Sequence, residues 1–355
     1  MDFLLHLPVI GLLLQFVGYL VVVSVQNGNL IITLATPIGL GALCGFMNER
    51  SGVVNIGIEG MMLTAAFVAW YVAALAGQVL PAGTPGPLGI TLPLLIGLAA
   101  ALAAGVLVSA LHAWLSITVR ADQIISGTII NIVALGITGY LGLLISQNSP
   151  SSAGNFSSLS LPAGVDGIPI LGWLLNTVIE HGPITLSMLV GVVVLQVLLY
   201  RSRWGLRTRA VGEHPRAAET VGIDVIALRY RNVLLGGLLA GMAGAWFTIE
   251  YGNSFQGGMT NGRGFIALAA LIFGRWTPVG AVGAALLFGV ADALGTAIRQ
   301  GPPTGDLGNF LTAVPPQLFS ALPYIVTIVV LAGVVGRSVA PAADGQPYER
   351  ESKAT

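Results

Sequence analysis

Residues 201–231 read RSRWGLRTRAVGEHPRAAETVGIDVIALRYR, a basic and largely polar interval set between two long apolar segments. Seven of the chain's 15 Lys and Arg residues fall inside it. It cannot lie at the centre of a bilayer, and the positive-inside bias assigns it to a cytoplasmic loop. Pro215 suits a first helical turn, where its missing N–H costs nothing, and Gly222 suits the residue that closes a helix about two turns later. A short helix is expected between two membrane spans. Ala217, Ala218 and Val221 would give it a small apolar face that fits a partner's cleft, with Arg216 and Glu219 flanking it.

The composition around that loop sets the class. Hydrophobic residues make up 55% of the chain and charged ones 8%, with a mean hydropathy of +0.85. Soluble domains carry roughly a quarter charged residues, so the chain reads as an all-α polytopic membrane protein. The net charge of zero says nothing about partners until the spans are placed. Cys44 is the only cysteine, which excludes an intrachain disulfide and a cysteine-based metal cluster.

Apolar segments at 8–26, 30–47, 53–76, 90–119, 124–146, 183–200, 226–251, 279–299 and 315–336 are expected to span. Residues 263–275 make a short or broken one, tolerated where protein or water covers its backbone. The first segment has no basic start and no small-residue cleavage pattern after it, so it is expected to be retained. Pro37 falls within the second segment, and the fourth is long enough to tilt or project. Asp122 and Asp224 are placed to cap the helices that follow them. Residues 77–89 and 147–182 are expected outside, the latter with a short surface helix near 170–178. Ten spans starting in the cytoplasm put both termini inside and leave only Arg263 and Arg299, of the 15 basic residues, outside. Residues 1–337 form the membrane domain under this reading, and 338–355 a polar, disordered cytoplasmic tail.

Two motifs carry a resemblance. Residues 212–223, GEHPRAAETVGI, resemble the coupling-helix loop of ABC importer permeases of the branched-chain amino acid, ribose and nucleoside superfamily. Residues 49–62, ERSGVVNIGIEGMM, look like the signature of its nucleoside and simple-sugar branch. The resemblance implies the ten-helix, vitamin-B12-type (type II) permease fold, with spans two to five and seven to ten as possible inverted halves. It makes 201–231 the coupling loop, with Gly212, Glu213, Pro215, Arg216, Ala217, Ala218, Glu219, Val221 and Gly222 meeting an ATPase subunit. It also implies a second permease, homologous or identical, and an extracellular solute-binding protein, and it implies import of a nucleoside, or next a simple sugar, across a bacterial inner membrane. No nucleic-acid partner is expected.

The source of energy is argued by subtraction. A P-loop needs a Lys followed by Ser or Thr, and the only lysine is Lys353, followed by Ala354. ATP and Mg would therefore sit on the partner ATPase, and this chain would hold no cofactor and no metal. The alternative is an ion-gradient carrier, which usually places carboxylates in mid-span, whereas Glu59, Glu250 and Asp292 lie nearer span ends. An intramembrane enzyme fares worse, because only His112 of the four histidines sits in a span and there is no H-E-x-x-H motif. Asn55, Glu59 and Met62 are expected to share one face of the third span with Ser51. That strip, with Asn131 in the fifth span, is either part of a solute path or gate, or a set of internal fasteners between helices.

Overall fold

A computed structural model describes residues 8–80, 86–146, 152–162, 164, 168, 170–329 and 338–349. Among these residues the chain is helical and has no strand. This follows from its apolarity, since in hydrocarbon a backbone must satisfy its own N–H and C=O groups and an open sheet edge cannot.

In chain order the helices are α1 (Pro8–Gln26), α2 (Gly28–Glu49), α3 (Ile58–Val79), α4 (Leu92–Ala113), α5 (Gln123–Ser146), α6 (Leu171–Ile179) and α7 (Pro183–Arg201). There follow α8 (Arg203–Glu213), α9 (Pro215–Thr220), α10 (Val225–Ala245), α11 (Arg263–Phe273), α12 (Pro278–Gln300), α13 (Asp306–Ala313), α14 (Pro316–Ser320) and α15 (Leu322–Val329). Widened π turns, Trp114–Thr118 and Tyr251-ending Trp246–Tyr251, prolong α4 and α10. Among the described residues seven helices are long and apolar enough to cross a membrane, while Gly11–Gln26 of α1 and α11 are shorter apolar stretches, the latter as its length in the sequence implies. Asp122 accepts from the N–H groups of Ile124 and Ile125, and Asp224 from that of Ala227, so both helix starts are capped by the expected residues.

Three expectations change. The third span starts at Ile58 rather than at 53, because Gly52 adopts a left-handed φ of 87° and residues 51–57 form turns. The segment 315–336 begins as two short helices, α14 and α15, separated at Ala321, with Pro316 and Pro323 each in a first turn. Its residues 330–336 lie outside the described residues. The disordered tail expected over 338–355 is instead placed over 338–349, with backbone bonds such as Ala343 N–H to the Gly212 carbonyl at 2.9 Å. Residues 350–355 lie outside the described residues.

The described residues gather into two compact units. One, Met1–Ala35, Leu161–Glu180 and Leu286–Gly336, has an apolar cluster of Leu294, Ile298, Leu307, Leu311 and Phe319 with Leu12 and Phe16 against it. There Asn29 donates to the Glu180 carbonyl and Trp173 to the Val25 carbonyl, both at 2.7 Å. The other unit, Thr36–Ser160, His181–Ala285 and Arg337–Thr355, holds the polar motifs and the basic loop.

Burial separates inner from outer spans. The apolar windows of α2, α3 and of α10 with its π turn are 83%, 61% and 72% buried, against 22% for α5 and 28% for α7. The inner contacts are made by small residues. A Cβ on Gly105 of α4 would lie 2.3 Å from the Gly237 carbonyl oxygen of α10, and one on Gly244 would lie 2.2 Å from the Met62 carbonyl oxygen of α3. Many Leu, Ile and Val residues of α5 and α7 point outward, among them Ile132 and Val190, whereas Ile130, Ile184 and Leu199 are buried.

One long apolar helix, α7, separates Ser152 from Leu206, both exposed or nearly so. Single cysteines at these positions, in a Cys44→Ser background, should react with an impermeant thiol reagent from opposite sides of the membrane. Labelling from one side would show that α7 does not cross.

Candidate functional site

The basic interval between α7 and α10 folds as two helices rather than the single short one expected. Ser202 caps α8 by accepting from the Gly205 N–H, and α8 then turns Gly205, Thr208, Val211 and Gly212 inward. Trp204 donates to Asn232 at 2.9 Å and Asn232 donates to Thr208 at 3.1 Å, which ties α8 to α10. Gly212 packs where no Cβ fits, since one would lie 2.3 Å from the Arg50 carbonyl oxygen. Pro215 opens α9 at its first position. Gly222, with φ 83°, closes it, while Ile223 N–H reaches back to the Ala218 carbonyl.

The face of α9 differs from the expected one. Ala218 is only 4% exposed and packs inward with Val211, Val225, Leu228 and Tyr348. Arg216, Ala217 and Thr220 are exposed, and Val221 is 75% exposed. Ala217 and Ala218 are about 100° apart around a helix, so a helix this short cannot show both to a partner while anchoring itself. Ala218 provides the anchor and Ala217 with Val221 the free surface.

Residues 338–349 complete the site. Glu213 forms an ion pair with Arg50 at 3.6 Å and accepts from the Ala342 N–H. Tyr348 donates its hydroxyl to Glu219, and Arg120 pairs with Glu349. Arg229, 2% exposed, donates to the Ser51 carbonyl and to the Gln346 carbonyl, each at 3.0 Å, and its guanidinium lies 5.9 Å from the Tyr348 ring centroid. Sequence reading passed over Arg229. The signal was an arginine one turn into an apolar helix, beyond the cap, where a cation must find carbonyl or carboxylate partners. Burial pushes the Asp344 carboxyl up to about 7, against the opposing pull of the Gly345 N–H and of Arg229. Between α9 and this segment runs a groove of about 670 Å³, walled by Glu213, His214 and Ala217 on one side and by Ala342, Gln346 and Glu349 on the other.

The other four candidates do not form a strip. Asn55 precedes α3, and its Oδ1 accepts from the Gly57 N–H at 2.9 Å. Asn131 of α5 accepts from Gly60 N–H and donates to the Ile56 carbonyl, fastening α5 to the start of α3. Met62 is buried and points toward α2, its sulfur 3.4 Å from where a Cβ on Gly41 would be. Glu59 accepts from Thr260 Oγ1 at 2.6 Å and from the N–H groups of Gly262 and Gly264 at 2.8 and 2.6 Å. Its carboxylate therefore caps α11 from a different helix, where the positive end of the helix dipole favours it. Gly264 allows this, because a Cβ there would fall 2.5 Å from the Glu59 Cα.

Two outcomes follow. Glu59→Gln keeps the side chain's size but presents an amide to three donors, so it should lower stability by about 1–3 kcal/mol while transport per folded molecule is retained. Melting temperature and uptake, measured together, check this, and loss of transport at normal assembly would place Glu59 in the solute path. Asp344 binds its proton more tightly folded than unfolded. Its contribution is complete below the unfolded pKa of about 4 and is lost as pH rises through about 7. The protection of the 341–349 amides, taken relative to the unfolded chain at each pH, should fall between about pH 4 and 7, and Asp344→Asn should flatten that fall.

Comparison with known proteins shows the family of the chain. Residues 29–331 match the family described as branched-chain amino acid transport system / permease component. The chain is 39% identical over 316 residues to the guanosine ABC transporter permease protein NupQ of Bacillus subtilis (strain 168), covering 88% of this chain and 93% of that one. It is 35% identical to the nucleoside ABC transporter permease protein NupC of Lactococcus lactis subsp. cremoris (strain MG1363), with 88% and 93% covered. It is 32% identical to the putative glucose ABC transporter permease protein TsgC13 of Haloferax volcanii, with 91% and 97% covered. No solved structure matches. The chain therefore belongs to the branched-chain amino acid transport system / permease component family, as a multi-pass ABC transporter permease subunit and not an enzyme.

Proposed function

We propose that this permease works as the membrane subunit of an ATP-driven importer whose solute is a nucleoside, with a simple sugar as the runner-up. The observation that carries the coupling is the exposed face of α9, with Arg216, Ala217, Thr220 and Val221 turned outward on a basic connection between two apolar helices. A separate ATPase subunit docks there and holds the ATP and Mg. A second permease subunit, homologous or identical, completes the pore, and an extracellular solute-binding protein delivers the solute. The relatives named for nucleosides and guanosine support the choice of solute, and the one named for glucose supports the runner-up. In this reading the fold is the ten-helix, type II one. The chain lies in a bacterial inner membrane with both termini cytoplasmic, as the seven basic residues of 201–231 favour.

Internal carboxylates support ATP rather than an ion gradient as the driving force. Glu59 is held by three donors, and Glu250 by Ile184 N–H, Thr185 N–H and Thr185 Oγ1 at 2.6–3.0 Å. Carboxylates bound in this way are poor ion carriers.

The docking face is tested by enlarging it. Ala217→Trp projects a bulky ring from the exposed side of α9 and should abolish co-purification of the ATPase and uptake in vesicles, with insertion and thermal stability unchanged. Ala218→Arg should instead damage the permease itself, because it forces a cation among Val211, Val225 and Leu228. If Ala217→Trp binds the ATPase and transports normally, α9 is not the docking helix.

A further inference from the structure

We propose that residues 341–349 are a positioning strut that passes movement of α9 to the turn preceding α3, so that the segment couples ATP hydrolysis to transport without itself being the docking surface. This rests on α9 being the helix the ATPase grips. The ties run without a gap. Tyr348 binds Glu219 of α9 through its hydroxyl and packs its ring with Ala218, while Ala342 and Ala343 bind Glu213 and the Gly212 carbonyl at the α8 end. On the other side, Arg229 joins the Gln346 carbonyl to the Ser51 carbonyl and lies near the Tyr348 ring. Glu349 adds an ion pair with Arg120 in the turn between α4 and α5.

The turn that receives these ties is stiff and crowded. Gly52 has a left-handed φ of 87°, and a Cβ there would stand 2.6 Å from Arg229 Nη2 and 2.9 Å from the Ala343 carbonyl oxygen. Ser51 Oγ donates to the Asn48 carbonyl at the end of α2. Beyond the turn, α3 starts at Ile58 and grips α11 through Glu59. A displacement of α9 therefore reaches the α2–α3 turn through packed and hydrogen-bonded groups, beside the packing of Ala218 on Val211 of α8 and on Val225 and Leu228 of α10. Packed networks of this kind have two discrete settings or none, and only a coupling measurement distinguishes them.

The test uses the full transporter in proteoliposomes with a nucleoside as solute, scoring uptake per ATP hydrolysed. Tyr348→Phe retains the ring and its packing and removes the hydroxyl that binds Glu219. It should leave ATPase co-purification unchanged, lower the melting temperature only slightly, and lower uptake per ATP by roughly three- to tenfold, the scale of one part-buried hydrogen bond. Glu219→Gln should lower uptake per ATP by a similar factor, and the double variant should be no worse than either single one. A chain ending at Ser338 should be more strongly uncoupled and still bind the ATPase. Unchanged uptake per ATP in Tyr348→Phe overturns the proposal, as does loss of ATPase binding, which would make the segment a docking surface. Failure of α9 as the docking helix is seen separately, in Ala217→Trp.

Discussion

Close backbone approach between α10 and its neighbours α3 and α4 is the contact on which the buried part of this protein depends. In a membrane the lipid is as apolar as leucine, so helices gain nothing by hiding large side chains from it. They gain by fitting together. Gly105, Gly237 and Gly241 let α4 and α10 meet at the backbone, and Gly244 brings α10 onto the Met62 carbonyl of α3. Large aliphatic residues also cover the outer helices, where only 22% and 28% of the apolar windows of α5 and α7 are buried.

Close packing leaves little room for polar groups, and those present are used as fasteners at helix ends. Glu59 caps α11, Asn131 closes the open backbone before α3, and Glu250 takes the first N–H groups of α7. Each tie joins residues at least 65 positions apart in sequence. Such bonds are worth more as specifiers of one arrangement than as net stability, because the cost of leaving any of these groups unpaired in a dry interior is large. At the basic loop the same economy holds with charges. Arg229 is buried because two carbonyls meet its guanidinium beside the Tyr348 ring, and residue Gln346 of 341–349 supplies one of those carbonyls.

Much of this protein was legible from its residues alone. Apolar run length sets the boundaries of most helices to within one or two residues, since about 20 apolar residues are needed to cross hydrocarbon. The basic loop, Pro215 at the start of α9, Gly222 at its end and the caps Asp122 and Asp224 are local chemistry, and local chemistry is written in consecutive residues. The family was legible from two short motifs for the same reason. Tertiary structure alone decided the start of α3, the inward turn of Ala218, the ties of Glu59 and the placement of 338–349. Periodicity puts residues on a helix face but does not say which face meets which neighbour. In this chain the partners of the polar groups lie on distant segments that only folding brings within hydrogen-bond reach.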